Sequence, residues 1–257
     1  MKYVLGAVCL LALLAVSILI VQGKEGRVYK LITKFVRPMI SQPALQHTLD
    51  QAYAENFTDI TKDSAWVWFQ PQLIDWTVKN NRLELVTNQE SVWWQNNKGA
   101  MLYRPIKGNF EVSVDLRARK ASDVSVFTDT AFQFGGIILR DPAGERLFTS
   151  ENYVFNVIGN RGSNGLQVES KSTHNGHSSV QGTDWPSGDV SLKIKRDGAH
   201  FILYAKPIEE VSWQQVQEYQ RPDLPDGLQL GMIVYSYSKG KGIHDLNVSF
   251  ENLKLHY

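Results

Sequence analysis

Cysteine is almost absent. The chain has one, Cys9, in an apolar stretch near the N-terminus. A single thiol closes no intrachain disulfide and supports no cysteine-based zinc site. An oxidising compartment is neither required nor excluded. Charge of one sign is lacking too: the formal net charge is +1. No basic stripe interleaved with aromatics appears, so no nucleic-acid partner is expected. A Gly-x-Ser-x-Gly elbow and a phosphate-binding glycine loop are missing, which removes the chemistries that depend on them. Internal repeats and low-complexity linkers are also missing. From about Leu49 onward there is no long helical period.

What is present is alternation. Hydrophobic residues make up 43% of the 257-residue chain and charged residues 21%, a globular rather than a disordered balance. About 200 residues remain beyond the N-terminal segments, which suits one all-β sandwich or barrel. In "NFEVSVDLRAR", Phe110, Val112, Val114 and Leu116 share one face, and Glu111, Ser113, Asp115 and Arg117 the other. A period of two is the signature of a half-buried strand. "RLELVT", "LQVESKS", "VSLKIKR" and "LQLGMIVYSY" read as further strands. "KRDGAH" places Asp197-Gly198 between two of them, which predicts a type I′ hairpin. "FQFGGIILR" does not alternate and suits a central strand covered on both faces, with Gly135 and Gly136 permitting close approach. The closing "NVSFENLKLHY" changes phase between Phe250 and Leu253, as a bulge would. The expected class is all-β: two antiparallel sheets in a jelly-roll sandwich over residues 49–257.

The N-terminus reads differently. Tyr3 to Gln22 carries no charge and has about the 20-residue length that spans a bilayer. No A-x-A-like cleavage site follows, so residues 1–23 read as an uncleaved anchor, with a cleaved signal and secretion as the alternative. In residues 24–48, Val28, Leu31, Ile32, Phe35, Met39 and Ile40 follow helical spacing, with Lys30, Lys34 and Arg37 off that stripe. A basic amphipathic helix of this kind lies in the headgroup layer or packs on the domain. Basic residues after the apolar run argue for a cytoplasmic domain; the domain type argues for export, and we expect an extracytoplasmic domain.

The order of landmarks resembles concanavalin A-like lectin/glucanase jelly rolls. It is most similar to an uncharacterised bacterial family related to the C-terminal sandwich of some β-xylosidases. The residues that carry the likeness are "RLELVTNQESVWW", "LYRPIKGNFEVSVDL", "FGGIILRD", "NYVFNVIGNRG", "SLKIKRDGAHFILY" and "VSFENLKLHY", spread over Ala65 to Tyr257. Relatives often carry a short Ser-x-Asp-Gly-x-x-Trp hairpin after the "RDG" strand pair. Here "KPIEEVSWQQV" is longer, and Trp213 matches by position only. The resemblance implies a fold and an association with glycans, and no reaction.

Catalysis finds little support. Glucanases of this superfamily place acidic residues at i, i+2 and i+4 of one strand. Glu111-x-Ser113-x-Asp115 lacks the middle one. Its ends lie about 13 Å apart at Cα on a strand, against the roughly 5–9.5 Å between carboxyl groups that glycoside hydrolysis requires. Arg140, Tyr153, His174 and His177 include the residue types of a lyase without a lyase spacing. His174 and His177 sit in the polar loop "THNGHSS" with no third metal ligand fixed by the sequence. No catalytic residue, metal or cofactor is therefore assigned.

Binding is better supported. Seven tryptophans are present, and aromatic rings stack on the apolar faces of sugars. In a strand, adjacent Trp93 and Trp94 point to opposite sides. One then belongs to a core and the other is a candidate platform. Arg140, Asn152, Asn156, Gln167 and Glu169 are residue types that hydrogen-bond sugar hydroxyls, and they are expected to line the same side. The reading is a membrane-tethered, non-catalytic module that binds a glycan or glycoconjugate. The alternatives are a structural or protein-interaction module of the cell envelope and, behind it, a glycan-active hydrolase or lyase.

Overall fold

The computed structural model describes residues 53–55, 57, 65–144, 150–162, 164–238 and 242–257. The anchor expected over 1–23 and the amphipathic segment over 24–48 lie outside these residues. Among the described residues, no helix is long and apolar enough to cross a membrane.

Fifteen strands are described. β1 is Tyr53–Glu55, β2 Val67–Phe69, β3 Ile74–Lys79, β4 Arg82–Thr87 and β5 Ala100–Lys107. Next come β6 Phe110–Arg119, β7 Gln133–Arg140, β8 Tyr153–Asn160, β9 Leu166–His174 and β10 His177–Asp184. The chain closes with β11 Asp189–Asp197, β12 His200–Pro207, β13 Gln214–Gln220, β14 Gly227–Ser236 and β15 Asn247–His256. They build two antiparallel sheets. One runs β13-β12-β11-β6-β15-β4-β3, with β1 also on β15; the other runs β10-β9-β8-β7-β14-β5-β2.

The strands form where the sequence alternates, because each alternating segment buries one face. Along β6, residues from Phe110 to Arg119 switch strictly between buried and half-buried. Val112, Val114 and Leu116 meet Leu192 and Ile194 of β11 and Leu83 and Leu85 of β4 in the core. The other sheet contributes Ile137, Leu139, Val154, Ile158, Leu230 and Met232 to that cluster. Burying such a side chain is worth about 1.5–3 kcal/mol. Every residue of β7 and of β8 is buried, as the unbroken apolar run predicted for β7. These strands carry something on both faces.

The turns differ in one respect from expectation. At the Asp197-Gly198 hairpin the two loop residues are Gly198 and Ala199, because Asp197 still pairs with His200. Only Gly198 has a positive φ, 57°, which is the type II′ pattern. The type I′ pattern is at Asn175-Gly176, with φ of 49° and 74°. "THNGHSS" is thus not an open loop but a hairpin joining β9 to β10. The predicted bulge in β15 is present: register shifts between Glu251 and Lys254, and Asn252 takes φ 52°. The shift brings Phe250 and Leu253 onto the same buried side.

Candidate functional site

The β10-to-β2 sheet has an outer face, turned away from its partner sheet, and that face is aromatic. A second buried cluster there joins Phe134, Tyr153, Phe155 and Tyr235 to Met101 and Ile233. Tyr153 stacks on Phe155 at 6.0 Å, and Tyr235 stacks on Phe134 at 5.5 Å. Glycine makes this packing possible. A Cβ on Gly159 would lie 2.0 Å from the Gln133 carbonyl and 2.6 Å from the Phe134 ring.

The segment between β4 and β5 closes over these rings. Trp93 is 0% exposed and meets Tyr153 edge-on at 5.8 Å. Its Nε1 donates to the Ala100 carbonyl at 3.3 Å. Asn97 donates to Glu151 at 2.9 Å, and the Gln95 amide donates to Ser178 Oγ at 3.1 Å. Both bonds tie the segment to the end of the sheet beside the β9–β10 turn.

Trp94 points the other way and is 42% exposed. The Lys171 ammonium lies 4.7 Å from its ring centroid, on one face of the ring. Lys171 itself is enclosed: its Nζ donates to the Trp93 carbonyl at 2.8 Å and sits 4.4 Å from the Phe155 centroid. Burial pulls the Lys171 amine down to about 7, partly offset by Glu169. Burial also raises the Glu169 carboxyl, against the pull of Arg161 and Lys171. Arg161 donates to Glu169 at 2.7 Å, and Gln167 donates to Asp184 at 2.7 Å. Strand register puts Gln167, Glu169 and Lys171 on the aromatic side, because they pair with Gly159, Val157 and Phe155. The result is an open aromatic ring beside a row of polar groups.

No family model and no characterised protein sequence matches the chain. Solved structures do. A functionally unknown protein from Saccharomyces cerevisiae aligns with 75% of this chain and 96% of its own, at 15% identity and TM-score 0.60. A xylan β-1,4-xylosidase from Bacillus halodurans aligns with 74% of this chain at 13% identity and TM-score 0.57, and the match covers 36% of the xylosidase. Lectin I-B4 from Griffonia simplicifolia aligns with 80% of this chain and 98% of its own, at 9% identity and TM-score 0.54. The shared fold is a two-sheet antiparallel jelly-roll sandwich.

Within this jelly roll the residues picked from the sequence do not share one face. Arg140 is on the aromatic side but is 0% exposed. Its Nε and Nη2 donate to Glu151 at 2.7 and 2.8 Å, its Nη1 donates to Gln229 at 2.9 Å, and its guanidinium lies 4.8 Å from the Phe69 ring. Asn156 pairs with Ser170 on the opposite side, between the sheets, where its Nδ2 donates to the Tyr204 carbonyl at 2.9 Å. Asn152 supports the β9–β10 turn, accepting from the Asn175 amide at 2.8 Å. Trp93 is the core member of its pair. Trp94, Gln167 and Glu169 are on the aromatic side, Trp94 being open and the other two nearly covered.

Lys171 was missed in the sequence. Its signal was there: it follows Glu169 by two residues and therefore shares its face. Elsewhere, Glu111 lies 3.4 Å from Lys193 and Asp115 accepts from Ser191 and Asn252. His177 Nδ1 contacts the Asn175 carbonyl at 3.0 Å, and His174 approaches Asp223 at 3.8 Å. Trp213 stands over Lys193 at 4.6 Å. Among the described residues, no group of three or more potential metal ligands forms.

Proposed function

We propose that this jelly roll is a non-catalytic module that binds a glycan through the aromatic face of the β10-to-β2 sheet. Trp94 carries the reading. A half-exposed indole with a cation behind one face offers its other face to a sugar ring, and ordering it costs little because Lys171 already holds it. Glu169, Arg161 and Gln167 supply acceptors and donors for hydroxyls beside it. The likeness to a lectin is compatible with this reading. A glycan array probed with the full-length chain, then repeated with Trp94→Ala, tests it. Binding to a defined glycan that is lost in the variant is expected. Binding that survives the change removes Trp94 from the site.

We further infer, from the uncharged run Tyr3 to Gln22, that the module is held at a membrane with its domain outside the cytoplasm. Cell fractionation with protease protection checks both points. A mature N-terminus beyond Gln22 in a soluble fraction overturns the tether.

A further inference from the structure

The other sheet has an outer face as well, and it holds a cavity of about 310 Å3. That is at the small end of the roughly 300–1,000 Å3 range of ligand sites. The cavity opens where β4, β15 and β6 lie side by side. Pairing sets Glu84 opposite Ser249, and Ser249 opposite Arg117. These three side chains form one row with neighbours about 5 Å apart. Arg82, Asn247 and Arg119 flank the row. Val124, 62% exposed on the β6–β7 connection, forms an apolar wall.

The charges balance. Arg82 and Arg117 both bond to Glu251, and Arg119 bonds to Asp189 at 2.6 Å. The lining itself holds three guanidiniums and one carboxylate, and Glu251 and Asp189 behind it bring the carboxylates to three. What it offers is unspent hydrogen bonding. Among the described residues, the side chains of Glu84, Asn247 and Ser249 make no hydrogen bond. Ser249 is only 6% exposed, and it lines the cavity. Its hydroxyl makes no bond within the fold and is open to the cavity, where a ligand can reach it. Acceptors (Glu84, and the Asn247 and Ser249 oxygens) alternate with donors (the free Arg117 N–H groups, the Asn247 amide and the Ser249 hydroxyl).

We propose that this cavity is a second binding site, for one or two rings of an uncharged saccharide. Hydroxyl groups both donate and accept, and they match such an alternating lining. The C–H face of the ring meets Val124. An anion would face Glu84, and an apolar molecule would leave the row unsatisfied. The site does not rest on Trp94, which belongs to the other sheet.

Saturation-transfer NMR and calorimetric titration of the full-length chain with the methyl glycosides of glucose, galactose, mannose and xylose test the proposal. Saturable binding of at least one is expected. Glu84→Gln and Ser249→Ala should each weaken it by about tenfold, the loss of a hydrogen bond to a charged or buried group. Both losses should appear equally in a Trp94→Ala background, where the aromatic face no longer contributes. Glu84→Gln breaks no hydrogen bond within the fold, so an unaltered melting curve is the folding control. The proposal is overturned if none of the four glycosides binds, or if binding persists in both variants. Tighter binding of sodium glucuronate than of methyl glucoside overturns the neutral class. Binding lost only in Trp94→Ala assigns the sugar to the aromatic face and overturns this site.

Discussion

Lys171 reaches across from β9 to hold Trp93 by its backbone: Nζ donates a 2.8 Å hydrogen bond to the Trp93 carbonyl. The same ammonium lies against the Trp94 ring at 4.7 Å. One buried side chain thus fixes both tryptophans, the inward one through its carbonyl and the outward one through its π face. The arrangement lets two adjacent residues serve a core and a surface at once.

Stability should depend on pH through this lysine. Burial lowers its folded pKa from 10.5 to about 7. Between those values the unfolded chain holds a proton that the folded chain has released, so its contribution to stability rises with pH. The penalty of burying the charge is fully present below about 7 and is relieved as pH climbs toward 10.5. Denaturant titrations of the wild type and of Lys171→Met over that window check this. The variant should lose the upward slope.

The two tryptophans should separate on mutation. Trp93→Ala opens a cavity beneath the β4–β5 connection and should cost about 3–5 kcal/mol. Trp94→Ala removes a half-exposed ring and one cation contact, and should cost about 1 kcal/mol or less. Urea unfolding monitored by near-ultraviolet circular dichroism measures both. Equal losses would mean that Trp94 is structural.

Arg140 and Glu151 form an ion pair in the interior of the aromatic face. Glu151→Ala removes both carboxylate bonds from the fully buried guanidinium, which keeps its bond to Gln229 at 2.9 Å. A loss of about 3–5 kcal/mol is expected. Replacing both, as Arg140→Met with Glu151→Leu, should recover much of it. A double-mutant cycle on unfolding free energies gives the coupling.

Gly159→Ala should destabilise by about 1–3 kcal/mol. The added Cβ meets a neighbouring strand's carbonyl at 2.0 Å as well as the Phe134 ring, and backbone yields less readily than a side chain. Thermal melts of Gly159→Ala beside Gly108→Ala calibrate the effect. Gly108 has open space around its Cβ position but a φ of 78°, so its loss reports backbone strain alone.

The sequence by itself determined the strands and their two sides. Period-two alternation is a local property: Val112, Val114 and Leu116 point together wherever β6 is placed. It marked the strand covered on both faces through "FQFGGIILR" and the bulge through the phase change after Phe250. Strand alternation predicted the divergence of Trp93 and Trp94, but the pair lies in the β4–β5 connection, outside any strand. The fold of that connection sends the two rings apart. Alternation does not say which of two faces meets which neighbour. Only the tertiary structure decided that Trp93 is the buried one, because a segment between β4 and β5 lies across β8 and β9. Only strand pairing decided that Arg140 is opposite Tyr153 and Asn156 opposite Ser170, so that the two polar residues fall on opposite sides of one sheet. The row of Glu84, Ser249 and Arg117 was equally out of reach. It exists because the last strand inserts between β4 and β6, joining positions far apart in the chain, and no local pattern encodes that pairing.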